Sequence, residues 1–459
     1  MRTRASPLAP LLIVALCATP ARAADLLQIY RDALANDATY GSARATRDAG
    51  VESLPQGLAQ ILPTLNATGF NQANNVDINF RQVGPSTGGS STSPALPFES
   101  RRTGPTSGFT VTLTQPLFNW QNFQVYREAG FKAAQAEALF GQATQDLIVR
   151  VAQAYFDVLA SQDSLAFIQG QKVAIAEQLA QAKRNFEVGT ATITDTHEAQ
   201  ARYDLATSQE IAAQSDLEIK KRTLQQVVGK FPEQLTPLKA NIELSPPTPN
   251  SMEDWASAAS SQGYPVRAQE AAVEVAVREI ERARAGHLPT LNLVGNAGVN
   301  SSNLSTTATV NSVTDSTNYN IGLQFAIPLY AGGNVSSLVR QAVANREKAQ
   351  QDLESARRTA ALSARQSFLL VTNGMAQVKA LEAALVSSRS ALDSNKLGYE
   401  VGVRINIDVL NAQQQVFSTL RDLSRARYDT ILNGLRLKSA SGTLTDGDVE
   451  EINRLLGPN

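Results

Sequence analysis

The chain has 459 residues with 41 Lys and Arg against 42 Asp and Glu, so it carries almost no net charge and no basic block for a nucleic-acid backbone. Its only histidines, His197 and His287, fall in different predicted elements, and it has no phosphate loop, metal cluster or nucleophile elbow. Nucleic-acid binding, enzyme chemistry and a cofactor site are therefore not expected.

Residues 1–23 read as a signal peptide. Arg2 and Arg4 form a basic start, Leu11 to Leu16 a short apolar core, and Ala21-Arg22-Ala23 a small-residue cleavage site. Cleavage there removes the lone Cys17 along with Arg2, Arg4 and Arg22, and takes the formal charge from −1 to about −4. No later stretch is apolar and long enough for a membrane helix. A membrane form of this chain must then be a closed β-barrel, because only helices and barrels satisfy the backbone in lipid.

The remainder is a tandem duplication. Leu62-Pro63-Thr64-Leu65-Asn66 returns as Leu288-Pro289-Thr290-Leu291-Asn292, about 226 positions later. Gln115-Pro116-Leu117-Phe118 matches Ile327-Pro328-Leu329-Tyr330, and Gly229 matches Gly442. The two repeats are expected at 24–230 and 251–459, joined by a proline-rich connector at 231–250. Each should run helix, strand, loop, strand, very long helix, turn, long helix.

In the strands, Phe109, Val111 and Leu113 alternate with threonines, and Tyr319, Ile321, Leu323, Phe325 and Ile327 with Asn320, Gly322 and Gln324. Apolar against uncharged polar over roughly 10 residues is the pattern of a barrel strand between lipid and a wet lumen. An ordinary half-buried sheet shows the same alternation. The segments Phe80 to Thr106 and Ser301 to Asn318, rich in Ser, Thr, Asn, Gly and Pro, are expected as solvated loops between paired strands. Four strands cannot close a conducting barrel, which needs about a dozen, so three copies of the chain are required.

The long helices show in the absence of proline between Phe118 and Phe231, and between Leu329 and Gly457. Leu147, Val151, Ala154, Val158, Leu165, Ile168, Ile175, Leu179, Ala182 and Phe186 follow heptad spacing, with Ser161 and Lys172 at two interrupted positions. Val371, Val378, Leu381, Leu385, Leu392 and Tyr399 repeat it in the second half. A helix from about Asn119 to Phe186 would be about 100 Å long.

Between the long helices lie two related turns. Phe186-Glu187-Val188-Gly189-Thr190 leads to Ile193-Thr194-Asp195, and Tyr399-Glu400-Val401-Gly402-Val403-Arg404 to Asp408 and Asn411. From spacing, Asp195-x-x-Glu198 is a capping box, Asn406 or Asp408 can cap the next helix, and Tyr399 continues the apolar seam.

With these motifs, the segment Ala24-Asp25-Leu26-Leu27-Gln28-Ile29-Tyr30 and the late run Ala426 to Leu444, the chain resembles the TolC-like outer-membrane channels over essentially its whole mature length. The resemblance implies a homotrimer, mainly helical, with a 12-stranded β-barrel in outer-membrane lipid continuous with a periplasmic α-helical coiled-coil barrel. The connector would lie in an equatorial region. It implies an exit duct for type I protein secretion or multidrug efflux in a Gram-negative cell, opened at its periplasmic tip by an adaptor protein and an inner-membrane transporter of ABC or RND type.

Carried over by position, Tyr399 and Arg404 would bond Asp195 and Thr194 to hold the tip shut, and Asp408 and Asn411 would stand at the constriction. The family's best-known member has a carboxylate where this chain has Asn411, so one acidic ring would remain instead of two. Two rivals stand beside this reading. A passive porin leaves the long helices without a role, and a soluble periplasmic adaptor leaves the amphipathic strands without one.

Overall fold

The computed structural model describes residues 24–80, 98–190, 192–231, 234–239, 242–306 and 311–457. Three short helices, α1 (Leu26–Asn36), α2 (Ala38–Val51) and α3 (Ser53–Ala59), lead into strands β1 (Thr64–Phe80) and β2 (Phe98–Phe118). Two long helices follow, α4 (Trp120–Glu187) and α5 (Ile193–Val228). The order then recurs: α6 (Met252–Gln262), α7 (Tyr264–Arg284), β3 (Thr290–Thr306), β4 (Asn311–Ala326), α8 (Asn334–Glu400) and α9 (Asn406–Ala440), before a terminal α10 (Asp446–Asn453). The fold is mainly helical with one four-stranded antiparallel sheet. None of the described helices is long and apolar enough to cross a membrane. The cleavage segment 1–23 lies outside the described residues.

The chain divides into two compact units. One contains the sheet, ordered β1-β2-β3-β4 with β1 and β4 at its edges. Its register sorts the side chains by face, since directly paired residues point the same way. Leu65, Leu113, Gly295 and Ile321 form one row, Ala67, Val111, Ala297 and Tyr319 the next, and Gly69, Phe109, Val299 and Thr317 a third. The opposite face carries rows such as Asn66, Thr112, Asn296 and Asn320. There Thr112 Oγ1 donates to Asn296 Oδ1 at 2.8 Å, and Asn296 Nδ2 to Asn320 Oδ1 at 2.9 Å. No Asp, Glu, Lys or Arg occurs in 64–76, 103–118, 290–306 or 316–326. Within these spans the sheet carries no charge, and in the band around these rows one face is mainly apolar while the other is polar apart from Phe70 and Val294.

Two expectations need correction. The strands run 16 to 21 residues, not roughly 10. Much of the two expected loops is paired strand: 98–106 belongs to β2, and Ser301 to Asn318 falls largely in β3 and β4, while 81–97 lies outside the described residues. Apolar alternation stops where the apolar band ends, but Ser, Thr and Asn carry the antiparallel ladder on, with Ser302 opposite Thr314 and Asn300 opposite Ser316. The polar composition marked the end of the band and not the end of the strand.

The other unit is built on the remaining helical segments. Its main core joins Leu26, Ile29 and Tyr30 of α1 to Leu147, Val151, Tyr155 and Val158 of α4, Leu224 and Val228 of α5, Tyr428, Ile431 and Leu435 of α9, and Val449 and Ile452 of α10. Within the connector, Leu235 bridges Ala24 in parallel and Leu238 bridges Leu456 in antiparallel sense. Tyr155 donates to the Thr236 carbonyl at 2.7 Å, so the connector is pinned to the core by a buried hydroxyl. The 68-residue α4 meets the expected length of about 100 Å.

The two interrupted seam positions are polar clamps. Ser161 Oγ donates to Asp216 Oδ2 at 2.7 Å, and Lys172 Nζ to Glu210 Oε2 at 2.8 Å. Lys220 adds an ion pair to Asp157 at 3.3 Å. A polar residue in an apolar seam costs stability and in return fixes register, because only one alignment gives it a partner.

Candidate gate at two helical turns

Both long hairpins turn in the same way. Gly189 and Gly402 follow the ends of α4 and α8 at φ 76° and 77°, a backbone region that glycine enters without a Cβ penalty. The Thr190 N–H reaches back to the Asn185 carbonyl at 2.8 Å, and the Val403 N–H to Gly398 at 2.8 Å, each closing the last turn. The spacing Phe-Glu-Val-Gly and Tyr-Glu-Val-Gly is therefore a helix stop, with the side chains on either side aimed by it.

The two restarts differ. At α5 the N-cap is Thr192, and Asp195 sits three residues in: Thr192 Oγ1 accepts from the Asp195 N–H at 3.3 Å, and Asp195 Oδ2 accepts from the Thr192 N–H at 3.1 Å. Asp195 is thus the inner half of a capping box and not its N-cap. At α9 the N-cap is Ile405, whose side chain makes no capping bond. Asn406 is the first residue of α9, buried, with both side-chain amide atoms unpartnered, and Asp408 lies in the first turn. Neither caps the helix.

The remaining positions fall around these turns. The Tyr399 hydroxyl accepts from Asn185 Nδ2 at 3.2 Å, tying the end of α8 to the end of α4. Arg404 Nη1 stands 3.7 Å from Asp408 Oδ2, one turn along, with the guanidinium more than half exposed. Gly398 leaves room for it: a Cβ there would meet Arg404 Cγ at 2.7 Å. Thr194 is exposed in the first turn of α5. Asn411 Oδ1 accepts from Arg202 Nη2 at 2.9 Å, and Gln414 Oε1 from Arg202 Nη1 at 2.6 Å.

These two bonds align α5 and α9 side by side. Behind them Leu410 packs with Ile175, Leu179, Ala199 and Ala206. The fold thus brings all six positions to the two turns, with Tyr399 on Asn185, Arg404 beside Asp408, and Asn411 on Arg202. Sequence reasoning missed Asn185 and Arg202. Asn185 is the neighbour of the seam residue Phe186, and neither Asn185 nor Arg202 stands in a motif that marks it.

The arrangement is one of weak, exchangeable polar contacts at the ends of stiff helices. An exposed pair at 3.7 Å contributes little to stability, so Arg404 is free to change partner. Comparison with known proteins places the fold among relatives. The outer membrane efflux protein family model matches residues 29–230 and 255–443. The outer membrane protein TolC of Vibrio cholerae is 33% identical over 94% of this chain and 93% of its own. The alkaline protease secretion protein AprF of Pseudomonas aeruginosa is 32% identical over 93% of this chain and 86% of its own. Among solved structures, the Campylobacter jejuni CmeC outer membrane channel superposes with a TM-score of 0.75, at 16% identity, over 94% of this chain and 90% of that one. The chain belongs to the outer membrane efflux protein family.

Proposed function

We propose that three copies of this chain form an outer-membrane exit duct, opened from the periplasm by an adaptor protein and an inner-membrane transporter of ABC or RND type. The observation that carries this reading is the two-faced sheet with open edges. Its apolar rows from Leu291 and Phe325 to Phe109 and Val299 extend about 27 Å along the strands, close to the apolar band of an outer-membrane barrel. Its reverse face is wet and uncharged, and β1 and β4 have backbone groups that only neighbouring copies can pair in lipid. A passive porin needs the sheet but gives no role to α4, α5, α8 and α9. The named relatives include a protease secretion protein and an outer membrane channel, and the reading contains no catalytic step.

The two repeats, 24–230 and 251–459 with connector 231–250, each supply one strand pair and one hairpin to the assembly. Closure is placed at the turns: Tyr399 and Arg404 exchange their present partners for Asp195 and Thr194 as the hairpins approach. An Arg–carboxylate contact there contributes about 1–3 kcal/mol, repeated by symmetry. Asp408 faces the constriction in this arrangement. The adaptor docks at the turns, and the transporter, not the duct, selects the cargo.

The test is planar-bilayer conductance of the purified protein beside a Tyr399→Phe/Arg404→Ser double variant. Small, flickering wild-type currents that become large and steady in the variant support the gate. Equal, large currents in both mean a permanently open pore and return the porin reading.

A further inference from the structure

Arg202 is the cation at the turn end whose partners are the least expected. Its guanidinium is held by two side-chain oxygens of α9, Asn411 Oδ1 at 2.9 Å and Gln414 Oε1 at 2.6 Å, and both belong to neutral amides. Among the described residues it forms no ion pair, although Glu198 lies one turn earlier on the same helix. Of the turn residues described above, Arg404 stands against Asp408, and Asp195 caps α5. Arg202 therefore keeps its full positive charge, and two short bonds fix it in place.

Its position follows from α9. Asp408 and Asn411 are three residues apart on one helix and share a face. Asn411 and Gln414 are exposed, while Leu410 and Gln413, the residue before each of them, are buried, so the guanidinium lies on the exposed side of the α5–α9 contact beside the face that carries Asp408. A guanidinium suits this place, because its planar fork satisfies two acceptors at once.

We propose that Arg202 is a charge-selectivity residue of the duct: held by Asn411 and Gln414, it sets a fixed positive charge next to the Asp408 constriction and opposes cation preference there. The proposal rests on the duct reading. Asn411 has two roles in it, withholding a carboxylate from the constriction and presenting Arg202 without neutralising it.

The test is the reversal potential of the purified full-length protein in a planar bilayer under a potassium chloride gradient, at low salt where screening is weak. Arg202→Gln is expected to raise the potassium-to-chloride permeability ratio by about threefold, as removal of one nearby charge per subunit predicts. Asn411→Asp should move the ratio the same way by pairing Arg202, and Arg202→Lys, which keeps the charge, should leave it close to wild type.

An unchanged ratio in Arg202→Gln, with Asp408→Asn shifting it, overturns the proposal and means that Arg202 is outside the conduction path or neutralised by a neighbouring subunit. A shift in Arg202→Lys as large as in Arg202→Gln also overturns it, since geometry and not charge would then be responsible. A wild type that conducts no ions at all is a separate failure, of the duct reading itself.

Discussion

The two long hairpins share a stop signal and differ in how they are held. The α4–α5 pair is joined by Lys220 to Asp157, Ser161 to Asp216 and Lys172 to Glu210, and it restarts on a capping box. The α8–α9 pair is joined by Arg427 to Glu382 at 2.7 Å and by an apolar cluster of Val378, Leu423 and Ala426, and it restarts on an uncapped isoleucine. Polar clamps allow one alignment, whereas apolar seams tolerate repacking at similar energy. A duplicated sequence has thus yielded one hairpin with these three polar clamps and a capped restart and one with the Arg427–Glu382 ion pair and an uncapped restart.

The largest test of this contrast removes what the hairpins have in common. Leu410 is almost fully buried among α4 and α5 residues, so Leu410→Ala should cost about 3 kcal/mol and lower the unfolding midpoint of the purified protein. A change under about 0.5 kcal/mol would mean that the hairpins are not packed through this residue.

Next comes a pH effect where α4 meets α9. Tyr428 donates to Asp163 Oδ2 at 2.7 Å, and burial raises the Asp163 carboxyl above its ordinary value, against the lowering effect of the Tyr428 and Ser424 hydroxyls. The folded state then holds this proton more tightly than the unfolded chain does. Its contribution to stability is present in acid and is lost as pH rises through the raised value. Asp163→Asn, which keeps an acceptor for Tyr428, should flatten that part of the stability–pH profile. An identical slope in the variant would assign the effect to another group.

Smaller changes address the caps. Thr192→Ala should cost about 1 kcal/mol and loosen the first turn of α5, seen as faster amide exchange over 193–197. Ile405→Asp should have the opposite effect at α9, stabilising it by about 0.5–1 kcal/mol, since it supplies the missing cap next to the helix's positive end. If exchange at the start of α9 is already as slow as at α5, the contrast between the hairpins fails. Smallest of all, Lys220→Gln should change stability by at most about 0.5 kcal/mol, because the ion pair it breaks is long, at 3.3 Å, and only partly shielded from water.

Much of this architecture could be read from the chain. Proline-free runs and heptads placed α4 within a few residues and showed that the second repeat carries long helices too, and the L-P-T-L-N repeats marked the starts of β1 and β3. Strand length was not legible, because Ser, Thr and Asn look alike in a turn and in a wet strand, and only pairing partners distinguish them. The cap of α5 was misplaced for a similar reason. Thr192 and Asp195 both favour a helix start, and the turn geometry that decides between them is set by Gly189. Asn185 and Arg202 could not be singled out at all, since each acts through a residue more than 200 positions away in sequence.

The sheet's free borders also constrain how the protein is made. A newly exported chain that reached lipid alone would bring the unpaired amides of two long strands into a medium that cannot hydrate them. Left in water, the same borders invite pairing with any extended segment nearby. On the proposed duct reading, maturation couples encounter between copies to entry into the bilayer, and the yield of inserted protein should depend steeply on the concentration of unassembled chains.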